Sequence, residues 1–115
     1  MEVRQALIKT AQMPTRIETL QQLLEVSPAD CFLRYGLAQE HIKADQAIEA
    51  IAQFDKILEI NPDYQAAYYH AGKTFEKLGR ADDARSIYQR GLETAARTGD
   101  AHAGSELQAA LTELG

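Results

Sequence analysis

Residues recur along this chain at a step of 34, and no other property narrows its possible folds so far. Leu20, Phe54 and Tyr88 form one series, Leu24, Leu58 and Leu92 a second, and Glu25, Glu59 and Glu93 a third. Tyr35/Tyr69, Ala50/Ala84 and Pro28/Pro62 are pairs with the same step. A fixed period of roughly 20–50 residues marks a stack of like units, each burying its apolar face on its neighbours. Such a chain presents a surface rather than a prebuilt catalytic pocket.

The periodic segments are helical. Residues 45–60 set Ala47, Ile48, Ile51, Phe54, Ile57 and Leu58 on one broad stripe, with Asp45 as the expected N-cap and Asn61-Pro62 as the stop. Residues 81–98 repeat the rhythm with Ala84, Ile87, Tyr88, Leu92 and Ala95, and Gly99 ends them. Between and before these, residues 31–43 carry Leu33, Leu37, Ala38 and Ile42, and residues 64–78 carry Tyr68, Ala71, Gly72, Phe75 and Leu78. No segment alternates with period two as a strand would. Connections of about two to five residues make successive helices antiparallel neighbours.

The ends differ. Residues 15–26 keep the phase through Leu20 and Leu24, as the second helix of a truncated unit would. Residues 100–114 form one more amphipathic helix, with Asp100 as N-cap and Leu107, Ala110, Leu111 and Leu114 on one face. Continued backwards, the phase puts Arg4 and Arg16 where small residues belong, so residues 1–14 are expected to be a poorly ordered tail.

These residues resemble the tetratricopeptide repeat, a 34-residue helix–turn–helix unit with the pattern W-x2-L-G-x2-Y, A-x3-F, P. In the unit beginning at Gln65, Tyr68 takes the Trp place, Ala71-Gly72 the Leu-Gly place, and Phe75 the Tyr place. Ala84 and Tyr88 follow as A-x3-F, and Ala96 stands where Pro is usual. In the unit beginning at Cys31, Leu37-Ala38, Ala50, Phe54 and Pro62 fit, whereas Arg34 and His41 replace the two aromatics. Nothing in the sequence accounts for those two departures.

The resemblance implies an all-α right-handed solenoid over residues 15–114: a cap helix at 15–26, repeats at 31–64 and 65–98, and a cap helix at 100–114. Two units are fewer than the three or so that usually bury a continuous core, hence the caps. Gly91, mid-helix, costs about 1 kcal/mol relative to alanine. A close crossing by the small face of the last helix (Ala103, Gly104, Ala110) would account for it.

In this family the first helix of each unit lines a concave face that holds an extended peptide or a partner's helix. Carried onto this chain, the groove residues are Phe32, Tyr35, Gln39 and Ile42 from the first unit and Ala66, Tyr69, Lys73 and Glu76 from the second. Some members clamp a chaperone's C-terminal carboxylate with Lys and Asn residues. Here Tyr35 stands in a clamp lysine's place and Gln39 in an asparagine's, and Lys73 with His70 makes only part of a set, so that role is disfavoured.

Catalysis finds little footing. Cys31 and His41 sit ten residues apart on one helix, about 15 Å along its axis, beyond the reach a thiolate–imidazole pair needs. No phosphate loop or metal-ligand spacing occurs, so neither cofactor nor metal is expected. A net charge of −5 without basic runs argues against nucleic acid, and no segment has the length of a membrane span. A single cysteine fits a reducing, cytoplasmic setting. The expectation is a non-enzymatic protein-binding module, more readily monomeric than dimeric. The alternative is a self-assembling subunit with Leu107, Leu111 and Leu114 as its seam.

Overall fold

Three of the helices begin on side chains that can accept a backbone N–H, and the computed structural model, which describes residues 13–115, makes each of those bonds. Thr15 Oγ1 accepts the Glu18 N–H at 3.1 Å while Glu18 Oε1 accepts the Thr15 N–H at 3.3 Å, a reciprocal cap that opens α1 (Arg16–Val26). Asp30 accepts from the Leu33 N–H at 3.0 Å at the start of α2 (Cys31–Lys43). Then come α3 (Ala47–Ile60), α4 (Gln65–Lys77) and α5 (Ala81–Thr98). Asp100 accepts from the Ala103 N–H at 3.0 Å and opens α6 (Ala101–Leu114). Among the described residues there are helices and no strand. The tail expected at residues 1–14 lies, for residues 1–12, outside the described residues.

Each helix packs on the next in chain order, and α4 also meets α6. Ala38 and Ala50 in the first pair are wholly buried, as is Ala84 in the second, where Gly72 is buried too. Phe54 and Tyr88, each 0% exposed, are the largest fully buried side chains of the two pairs. Leu107 of α6 is 1% exposed, and Leu111 and Leu114 pack on the same core. Of the stripe expected as a self-assembly seam, Leu107 is covered from within, and Leu111 and Leu114 are covered in part.

Two expectations on α3 need correcting. Ile48 is 61% exposed. It lies about 120° around the helix from Phe54, outside the buried stripe. Asp45 is not the N-cap; that place belongs to Gln46, which makes no side-chain cap bond. Asp45 instead takes φ +60°, and one period later Gly79 takes φ +73°. The two turns bond alike, Asp45 N–H to the Ile42 carbonyl at 3.1 Å and Gly79 N–H to the Glu76 carbonyl at 3.0 Å. A left-handed residue suits glycine and, less well, aspartate. Gly79→Ala is expected to lower stability by about 1 kcal/mol, and Asp45→Gly to change it by only a few tenths. Urea denaturation of both variants checks this pairing, which fails if Gly79→Ala is neutral.

The two departures from the repeat pattern turn out to preserve its contacts by other chemistry. Tyr68 Oη donates to the Pro62 carbonyl at 2.6 Å. One period earlier, Arg34 donates to the Pro28 carbonyl through Nε at 3.0 Å and Nη2 at 2.7 Å. The guanidinium fork ties its helix to the preceding turn as the phenol does, and its Nη1 also reaches Gln53 Oε1 at 3.0 Å. His41 is buried with Nδ1 2.7 Å from Gln46 Oε1. Its counterpart Phe75 lies 4.9 Å from the Arg80 guanidinium, and Arg80 is the counterpart of Gln46.

Gly91 is tight only in part for the reason expected: the last helix does cross there, but through Leu107 and not through its small face. A Cβ there would lie 2.6 Å from Tyr68 Cβ and 3.0 Å from Leu107 Cδ1, so α4 is the nearer wall. Gly104 faces Ala95 and Leu92 rather than residue 91.

Candidate functional site

A row of aromatic rings crosses from α2 to α4. The Tyr35 ring on α2 stands edge-on to Phe54 at 6.4 Å and to His70 at 5.5 Å, and lies 6.0 Å from Tyr64. His70 stacks on Phe54 at 6.5 Å and meets Tyr69 edge-on at 5.2 Å. Tyr69 in turn lies 6.4 Å from Tyr88. Phe54 and Tyr88 form the buried floor, while Tyr35, Tyr69 and His70 are half-buried with one side toward solvent. Burial pushes the Tyr35 phenol above its ordinary value. Burial likewise pushes the His70 imidazole down, the Glu106 carboxylate pulling the other way. His70 is thus biased toward its neutral form, as a ring packed among rings should be.

Charge gathers at the α4 end of this row. Lys73 Nζ lies 5.6 Å from the centre of the Tyr69 ring, 3.8 Å from Glu76 Oε2 and 3.7 Å from Glu113 Oε2 of α6. Glu76 also accepts a hydrogen bond from the Tyr88 hydroxyl. Burial first, and that bond second, hold the Tyr88 phenol well above its ordinary range. Glu76 is accordingly a structural partner of the core as well as a member of the exposed face.

The eight residues expected to line a groove divide. Tyr35, Tyr69, Lys73 and Glu76 belong to the aromatic and charged row just described. Gln39 lies one turn along α2 from Tyr35, its Nε2 buried and unpaired. Ala66 joins Tyr69 on the wall of a cleft between α4 and α6 of about 290 Å³, with Gln65, His70, Asp100, His102, Ala103, Glu106 and Leu107. Phe32 stands apart at the first turn of α2, 76% exposed. Ile42 lies at the other end of α2, in a separate cleft of about 390 Å³ that includes Ile48, Thr74 and Leu78. Sequence reasoning misses the contribution of α6, since the repeat phase gives that helix only a capping role, and it misses Tyr64 beside Tyr35.

Among the described residues no group of three or more His, Cys, Asp or Glu side chains is arranged to hold a metal ion. No helix there is long and apolar enough to cross a membrane. The half-exposed row consists of rings, the Gln39 amide, Glu76 and a lysine paired with two carboxylates.

Comparison with known proteins agrees with this architecture. The family model of the tetratricopeptide repeat matches residues 41–111. A TPR repeat-containing protein of Pseudomonas aeruginosa is 32% identical over 98 residues, covering 85% of this chain and 93% of that protein. The solution structure of a tetratricopeptide repeat domain protein from Salinibacter ruber is 47% identical and superposes with a TM-score of 0.72, covering 76% of this chain and 88% of that one. A Bordetella parapertussis protein, 28% identical, superposes with a TM-score of 0.76 over 89% of each chain.

Proposed function

We propose, from the premise that this chain belongs to the tetratricopeptide repeat family, that it is a non-catalytic module binding a peptide or helix of another protein on its α2–α4–α6 face. The family generally mediates protein–protein interaction, and one observation carries the reading further: the continuous row from Tyr35 through His70 to Tyr69. Rigid rings bring contact area at low entropic cost, and their polar edges keep such a face soluble when empty. Lys73 and Glu76 add a donor and an acceptor at the rim, and Gln39 adds an amide one turn along α2 from Tyr35. Tyr35, Tyr69 and Lys73 are the central contacts in this reading, with Phe32, Gln39, Ile42, Ala66 and Glu76 around them. A single short segment covers a small area, so affinity on the order of micromolar is expected.

The chain acts as a monomer in this reading, because the leucines of α6 already pack within the fold. Its net charge of −5 disfavours nucleic acid, and a cytoplasmic setting suits its single cysteine. Affinity capture from the native extract tests the proposal, comparing wild type with Tyr69→Ala/Lys73→Glu after circular dichroism has shown that both are folded. A protein retained by the wild type and lost by the variant is the expected result. Equal retention of every captured protein would move the site off this face.

A further inference from the structure

The cleft between α4 and α6 sets two carboxylates, Asp100 and Glu106, beside the end of the aromatic row, and we infer that it receives an arginine or lysine side chain of the bound segment, which makes the partner basic. This rests on the binding face proposed above and specifies its occupant. At about 290 Å³ the cleft sits at the small end of the ~300–1,000 Å³ typical of ligand pockets, a size for one long side chain rather than a helix. Its walls are Ala66, Tyr69, Ala103 and Leu107, apolar surface for an aliphatic stem. Its ionisable groups are His70, His102, Asp100 and Glu106, and no lysine or arginine of the described residues lines it.

Asp100 uses one carboxylate oxygen to accept the Ala103 N–H at 3.0 Å, which leaves its second oxygen for another donor. Glu106 meets His102 at 3.5 Å, a side chain 87% exposed that is free to swing aside. The neighbouring cation, Lys73, is drawn toward Glu76 at 3.8 Å and Glu113 at 3.7 Å instead. A separate observation points the same way. Gln65 lines the cleft with its Oε1 and Nε2 both buried and without a partner; the oxygen can accept from a cationic side chain and the amide can donate to a backbone carbonyl of the same segment. A guanidinium spreads its N–H donors over a planar fork that can serve Glu106 and Gln65 from different edges, where an ammonium is a single point, so arginine fits better than lysine. An acidic segment would meet two carboxylates here and a chain of net charge −5 beyond them.

The test uses the full chain at pH 8 and end-blocked peptides of alternating arginine and alanine, with glutamine and glutamate replacing arginine in two counterparts. Binding is followed by amide chemical shifts. The arginine peptide is expected to bind tightest and to shift Tyr69, Ala103 and Glu106. Glu106→Gln should weaken it about three- to five-fold, the scale of one partly exposed charge pair. Glu59→Gln, on α3, should leave it unchanged. The inference is overturned if the glutamine peptide binds as tightly, or if Glu59→Gln and Glu106→Gln weaken binding equally. It also falls if the glutamate peptide binds best and Tyr69→Ala abolishes that binding, although the α2–α4–α6 face would then stand. Shifts absent from α2, α4 and α6 with all three peptides would overturn both.

Discussion

Gly72→Ala is expected to destabilise the protein by about 3 kcal/mol, although alanine is the better helix former. A Cβ at residue 72 would lie 2.0 Å from Tyr88 Cε1, 2.4 Å from Cζ and 2.5 Å from Cδ1, distances that only movement of the ring can relieve. That ring has little freedom. Tyr88 is 0% exposed, and its hydroxyl is held by Glu76 across the α4–α5 pair. Overpacking a filled core costs roughly 1–3 kcal/mol and sometimes more, against a gain of about 1 kcal/mol in helix propensity. The collision wins because it falls on a fixed ring and not on the end of a flexible chain. Urea denaturation of Gly72→Ala, Tyr88→Leu and the double variant separates the two terms. With the ring gone, alanine at 72 should become neutral or favourable, a non-additivity of about 3 kcal/mol. If Gly72→Ala by itself left the midpoint unchanged, the helix pair would be looser than its geometry says.

The same glycine illustrates how much of the packing is legible in the amino-acid sequence. Spacing and residue size together mark Gly72, Ala84, Ala38 and Ala50 as points of close approach, because only small side chains admit a second helix there. Contacts that depend on the period can be read; contacts that depend on direction cannot. Arg34 looks like a breach of the repeat because pattern matching compares residue types, whereas the fold asks for a donor to the Pro28 carbonyl. The clue is present in the offset: Arg34 follows Pro28 as Tyr68 follows Pro62. Asp45 misleads in a related way, since a good capping residue one place too early takes the turn's left-handed position, and Gly79 one period later marks that place. The cleft is out of reach for a different reason. α5 has 18 residues where α3 has 14, about one extra turn, so α6 joins the stack out of step with the 34-residue period. Carrying positions forward by the period therefore cannot assign side chains on α6 to the face, and Asp100, His102 and Glu106 carry no signal of their place there.

Phe54→Ala is expected to have the largest effect of all, about 4 kcal/mol, and to act on the binding face as well as on the fold. Phe54 is 0% exposed and is among the largest side chains so buried. Removing a buried Phe side chain costs roughly 3–5 kcal/mol, the lost transfer energy plus the cavity left behind. Collapse of that cavity is hindered, because the ring is met by Tyr35 from α2 and stacked by His70 from α4, and all three helices would have to move. In a stack this short, α3 is also the helix through which the first pair meets the second. The loss should therefore appear as one cooperative shift, with circular dichroism and tyrosine fluorescence reporting the same midpoint. Phe54→Leu keeps most of the volume and should cost under about 1.5 kcal/mol. The functional consequence follows from the same contacts: Tyr35 and His70 rest on Phe54, so a ring-to-methyl change underneath frees both side chains to reorient. A partner retained by wild type should then be held more weakly by Phe54→Ala at a temperature where that variant is still folded, and nearly normally by Phe54→Leu. Should Phe54→Ala cost less than about 1 kcal/mol, or weaken the fold in two separate transitions, the two helix pairs would be independent units and the aromatic row would not be a single surface.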